Sequence, residues 1–163
     1  MAAGTPPRTI EGTPAATGLR VAIVVSKYND FVTDRLQAGA LAALGAAGVE
    51  AADITVVRVP GAFEIPAAAQ HVAASAHYDA IVCLGCLIRG ATPHFEHISS
   101  AVSHGLTAAA AATGVPMAFG VLTTNSVEEA LERAGEGTRN KGWEAAAAAV
   151  EMATVIARLR SRA

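Results

Sequence analysis

This sequence has little charge. Charged residues fill 16% of its 163 positions, and the net charge is -2. Without a basic surface the chain carries no electrostatic footprint for nucleic acid or for an acidic membrane. Much of the 52% hydrophobic fraction is alanine. So many small apolar side chains with so few charges imply more buried surface than one chain of this size provides, and the expectation is a homo-oligomer. Long apolar runs are also missing. No segment has the unbroken length of a membrane span, because Ser103 and His104 interrupt the alanine-rich stretch 101–113. The first 18 residues lack an apolar signal region, so a cytoplasmic protein is expected.

Cysteine is nearly absent. Cys83 and Cys86 have C-x-x-C spacing, but both fall on an expected strand, where positions i and i+3 point to opposite faces. That argues against a zinc knuckle or a redox pair and leaves two buried thiols. There is no Gly-rich dinucleotide fingerprint, no Walker loop and no Ser or Cys nucleophile motif. Any catalysis is then acid–base and electrostatic.

What is present is a regular alternation. Apolar runs over 19–26, 53–59, 79–86 and 115–122 read as buried strands. Between and after them, helical patterns cover 31–48, about 65–74, 93–113, a short piece opened by the capping box Ser126…Glu129, and 142–159 with a basic tail of Arg158, Arg160 and Arg162. The alternation predicts an α/β fold, a three-layer αβα arrangement around a four-stranded parallel, doubly wound and roughly flavodoxin-like sheet. Residues 1–18 form an arm or edge strand, and 19–163 a single domain.

Ligands in such sheets sit beyond the carboxyl ends of the strands. The most chemical stretch lies there: Arg89-Gly90-Ala91-Thr92-Pro93-His94. Thr92 reads as the N-cap of a helix and Pro93 as its first residue. A cation, small residues and free N–H groups at a helix N-terminus suit a phosphate, with a titratable His94 beside it. The plain alternative is an ordinary capped helix with a surface Arg and His. His94, Glu96 and His97 hint at a metal site, but Glu96 turns well away from His94 and no further ligand has suitable spacing, so no metal is expected. In Pro60-Gly61-Ala62-Phe63-Glu64-Ile65-Pro66, Phe63 could stack on a planar ligand while Glu64 accepts hydrogen bonds, or the pair could be core and cap. Tyr28 and Asn29 close the first strand, and alone they read as a helix cap with a solvent-side Tyr.

Taken in order, these strings resemble the lumazine synthase family. They are Val24-Val25 with Tyr28-Asn29, residues 60–66, Gly85 to His94, Phe119-Gly120-Val121-Leu122-Thr123-Thr124, Glu132-Arg133-Ala134-Gly135 and Asn140-Lys141-Gly142. The likeness runs from about residue 18 to residue 158. It implies condensation of 5-amino-6-(D-ribitylamino)uracil with 3,4-dihydroxy-2-butanone 4-phosphate to 6,7-dimethyl-8-ribityllumazine, with release of phosphate and water and with no cofactor. By position, His94 matches the proton-transfer histidine, and Arg89 is counted with it as catalytic. Ala91, Thr92 and Arg133 match the phosphate binders. Tyr28, Asn29, Ala62, Phe63, Glu64, Cys86, Leu87, Ile88, Phe119 and Lys141 match the ribitylaminouracil pocket. Tyr28 stands where Phe or Trp is commoner, and Cys86 where Thr or Val often occurs.

The resemblance further implies a site between neighbouring subunits of a homopentamer, with Phe119, Arg133 and Lys141 coming from the neighbour. The short loop 135–141 looks like that of members forming sixty-subunit shells, which can enclose a riboflavin synthase, and the N-terminal arm would add an edge strand to a neighbouring subunit. The competing readings are a non-catalytic flavin- or lumazine-binding relative, a structural shell protein and a phosphosugar isomerase.

Overall fold

The computed structural model describes residues 4–161. Residues 1–3 of the expected arm and Arg162 of the basic tail lie outside them. Four strands form one sheet: β1 (Val21–Ser26), β2 (Ile54–Val59), β3 (Ala80–Ile88) and β4 (Met117–Thr124). All pairs are parallel, and the order is β2-β1-β3-β4. The helices are α1 (Asp30–Ala46), α2 (Ile65–Ala74), α3 (His94–Thr113), α4 (Val127–Arg133) and α5 (Lys141–Arg160). The expected αβα sandwich with a flavodoxin-like sheet is the observed one.

Strand alternation divides the core in two. Val21, Ile23 and Val25 point toward α1 and α5, where Leu36, Leu44, Ala146 and Val150 cover them. Ala22 and Val24 point toward α2 and α3, against Ile65, Ala69, Val102 and Leu106. Each large aliphatic side chain so buried contributes about 1.5–3 kcal/mol. Cys83 lies in the second layer and Cys86 in the first, as their spacing on one strand requires.

The alanine-rich helices let backbones approach closely. At the crossing of α1 and α5, a Cβ on Gly142 would lie 1.9 Å from the Leu36 carbonyl oxygen. Only glycine allows α5 to start where it does.

Residues 11–16 lie against α1 and α5 and form no strand within this chain. The Thr13 N–H donates to Thr154 Oγ1 (2.9 Å), the Ala16 N–H to the Ala47 carbonyl (2.8 Å), and the Arg158 guanidinium to the Glu11 carbonyl. Among the described residues, no helix is long and apolar enough to cross a membrane.

Register positions the site. The pairing of β3 with β1 ends at Leu84, whereas its pairing with β4 continues to Ile88. The last turn of β3 therefore overhangs β1 and leaves one backbone edge open at the carboxyl end of the sheet.

Candidate active site

A cleft of about 500 Å³ opens at that overhang. Its floor is Cys86, Leu87 and Ile88 of β3. Strand geometry sends successive backbone groups to opposite edges. The Arg89 N–H donates to Thr124 of β4 (2.8 Å), while the Cys86 carbonyl accepts from Asn29 on the β1 side (2.9 Å). Ile88, in phase with Cys86, therefore turns its backbone N–H and carbonyl toward the cleft edge.

The first wall follows β1. Asn29 occupies the N-cap position of α1 with φ 61°, in the left-handed region that Asn tolerates. Its side chain caps nothing and instead ties the loop to β3 through Cys86. The Lys27 and Tyr28 N–H groups donate to the carbonyls of Val59 (2.8 Å) and Pro60 (3.1 Å). Three strand ends are thus bound together beneath Tyr28, whose ring is 73% exposed.

The second wall is the turn after β2. Glu64 Oε2 accepts from the Gly61 N–H at 2.9 Å, which folds the turn into a single 3-10 turn over Ala62–Glu64. Ala62 is buried beneath, and Phe63 stands 59% exposed. Two exposed aromatic side chains thus stand beside one cleft.

The third wall is the start of α3. Pro93, not Thr92, occupies the N-cap position, and His94 is the first helical residue. Pro93 has a helical φ of -71°, but its ψ of 6° holds it in the preceding turn. Thr92 therefore does not cap the helix. Thr92 and His94 both line the cleft, together with Phe95 and Ile98 from the same face of α3. Sequence reading missed Phe95 and Ile98. The four-residue spacing of Ile98 from His94 is a same-face signal that would have found it. Phe95, three residues before Ile98, follows from Ile98 and not from its one-residue spacing to His94.

Arg89 and Ala91 do not line this cleft. The Arg89 guanidinium pairs with Glu96, donates through Nε to Asn125 Oδ1 (3.0 Å) and lies 4.5 Å from the centre of the Phe95 ring. The Glu96 carboxyl is held below its ordinary range by its own backbone N–H and then by Arg89.

Phe119, Arg133 and Lys141 lie elsewhere. They share a separate concavity of about 400 Å³ along the edge strand β4 and the start of α5. Phe119 is 49% exposed. Arg133 Nη1 donates to the Glu129 carbonyl (3.0 Å), and Lys141 Nζ pairs with Glu144 (2.7 Å). The chain thus presents two separate surfaces. One has aromatic rings, an open strand edge and a histidine. The other has an aromatic ring and two cations.

Burial pushes the thiols up, Cys83 to about 12 and Cys86 to about 11. Both are neutral at physiological pH and unsuited to nucleophilic attack. Among the described residues, no three His, Cys, Asp or Glu side chains are grouped so as to hold a metal ion.

Residues 18–157 match the family described as 6,7-dimethyl-8-ribityllumazine synthase. A protein of that name from Syntrophus aciditrophicus (strain SB) is 52% identical over 150 residues, covering 92% of this chain and 97% of the relative. Another, from Desulfatibacillum aliphaticivorans, is 49% identical over 146 residues, covering 90% and 94%.

Proposed function

The chain belongs to the 6,7-dimethyl-8-ribityllumazine synthase family, and from that premise we propose how its own residues carry the reaction. It is a transferase of riboflavin biosynthesis. It joins 5-amino-6-(D-ribitylamino)uracil to 3,4-dihydroxy-2-butanone 4-phosphate and releases phosphate and water. The 5-amino nitrogen attacks the ketone, and loss of one water gives an imine. A proton leaves the carbon beside the imine, the C–O bond to phosphate breaks, and the ribityl-bearing nitrogen closes the ring with loss of a second water.

The pyrimidine ring stacks between Tyr28 and Phe63, and its hydrogen-bonding edge meets the open backbone of β3 at Ile88. Ala62 and Leu87 shape the slot, and Cys86 contributes through its carbonyl, already shared with Asn29. Asn29 and Glu64 face the ribityl hydroxyls. Phosphate binds over the loop 89–93, where Ala91 and Thr92 supply N–H groups. His94, one residue past that loop, takes the proton from carbon and returns it to a departing oxygen.

This assignment leaves Phe119, Arg133 and Lys141 unused within the protomer, and that observation carries the reading. They line a separate concavity formed by the edge strand β4, the end of α4 and the start of α5. A neighbour in a homopentamer brings them onto it: Phe119 covers the pyrimidine, Lys141 reaches the bound ligands, and Arg133 completes the phosphate site as a bidentate donor. The exposed side chains of Phe119, Val56, Met152 and Leu159 suit such packing. Residues 4–9 are exposed and add an edge strand to a neighbour's sheet. The short loop 135–141 fits a sixty-subunit shell, with riboflavin synthase as its enclosed partner, in the cytoplasm.

The test is absorbance and fluorescence on mixing the two substrates with purified protein. A lumazine chromophore forming faster than the background is expected, with His94→Ala slowing it by about 10²–10⁴-fold. No enhancement, with tight binding of lumazine or riboflavin, would establish the non-catalytic reading instead.

A further inference from the structure

The loop from Arg89 to Pro93 has little internal structure. Among the described residues, no hydrogen bond engages Gly90, Ala91 or Thr92, and all three are exposed. Its shape is set at its ends. At one end the Arg89 N–H is bonded to Thr124 of β4. At the other, α3 begins at His94 without a side-chain cap. Side-chain contacts of Arg89 span the gap, above all its ion pair with Glu96 on the first turn of α3.

That link is braced on two sides, and one brace is itself held. Asn125 Oδ1 accepts from Arg89 Nε, the Phe95 ring lies under the guanidinium, and the Asn125 N–H is itself held by Glu129 Oε2 at 2.9 Å. A planar guanidinium meets a carboxylate, an amide and a ring at once, which an ammonium could not do. Arg89 thereby turns out of the cleft and spans the loop like a strap.

Glu96 presents a difficulty that the strap resolves. A carboxylate on the first turn of α3 occupies the positive end of the helix, where the substrate's phosphate is to bind, and it repels a second anion. Paired with Arg89, its charge is offset. We infer that Glu96 is a positioning residue for the phosphate end of the site: it holds Arg89 across the loop, so that the N–H groups of Gly90, Ala91 and Thr92 converge on the anion. This rests on the reading of loop 89–93 as the phosphate site.

The consequence is a reversal of sign. With Arg89 present, losing the Glu96 charge releases the strap and weakens phosphate binding. With Arg89 absent, the same carboxylate is uncompensated and only repels, so losing it helps. The experiment follows chromophore formation for wild type, Glu96→Gln, Arg89→Ala and the double variant, varying each substrate and adding inorganic phosphate as inhibitor. Glu96→Gln raises the KM for the phosphate substrate and the Ki of inorganic phosphate roughly fivefold, as for an exposed ion pair, while the KM for the uracil amine stays within about twofold. In the Arg89→Ala background it lowers both phosphate constants. Unchanged or tighter phosphate binding in Glu96→Gln alone overturns the inference, as does a further loss in the double variant. A wild-type protein that forms no chromophore overturns the site reading and the strap with it.

Discussion

Replacing Asn140 tests how α5, and with it Lys141, is set in place. The side chain is 3% exposed and bonded in four directions. Its Nδ2 donates to the carbonyls of Arg35 (3.2 Å) and Gly135 (2.8 Å). Its Oδ1 accepts from the N–H groups of Gly142 (2.8 Å) and Trp143 (3.2 Å). Asn140→Ala removes a helix cap, about 1 kcal/mol. It also strands the buried Gly142 N–H, about 1–3 kcal/mol more. The expected loss of about 3 kcal/mol corresponds to a melting point lower by roughly 6–12 °C for a chain of this size.

Asn140→Asp separates two explanations. A simple cap tolerates Asp, which is favourable at a helix N-terminus. The observed clamp does not, because a carboxylate would face two carbonyl oxygens it cannot donate to. Thermal melts followed by circular dichroism at one fixed protein concentration measure both variants. A loss below about 1 kcal/mol for Ala, or an Asp variant as stable as wild type, would refute the reasoning.

Two further outcomes follow from the same packing. Gly142→Ala places a methyl group against the Leu36 carbonyl and forces α5 off α1, so it should lower the melting point by more than Asn140→Ala does. The thiols set an alkaline limit. Folding raises Cys83 from 9.0 to about 12 and Cys86 to about 11, so the native state holds these protons more tightly. Their contribution is complete below pH 9 and is lost as pH rises through the folded values. The urea midpoint should therefore fall above pH 9, and less steeply in Cys83→Ala. An equal fall in that variant would show that this thiol is not the cause.

Most of the fold was legible in the sequence because it rests on local pattern. Runs of β-branched residues such as Val21–Val25 have no other stable use than a strand covered on both faces. The start of α3 was not read correctly. Thr-Pro is a good cap signal, but the ψ of Pro93 is set by the path of the chain out of β3. No side-chain hydrogen bond takes the place at the start of α3 where the Thr92 hydroxyl was expected. The capping box at Ser126 was half right. The Ser126 hydroxyl does accept from the Glu129 N–H (3.2 Å), but the Glu129 carboxylate reaches Asn125, one residue early. That residues of the stretches 28–29, 61–64 and 86–94 meet in one cleft at the carboxyl end of the sheet was legible because strand-end loops gather there by topology. The turn of Arg89 away from the cleft was not, since an exposed arginine's direction depends on partners 7 and 36 residues away.

The most direct test of the account concerns the two half-surfaces. His94→Ala removes the cleft's histidine, and Arg133→Ala removes the neighbouring surface's arginine. Each variant alone should be nearly inactive. Co-expressed in equal amounts and assembled into mixed rings, they should recover about a quarter of wild-type chromophore formation, the share of interfaces that pair an intact cleft with an intact partner face. Mixed rings no more active than either variant alone would mean that each site lies within one protomer, and would contradict the account.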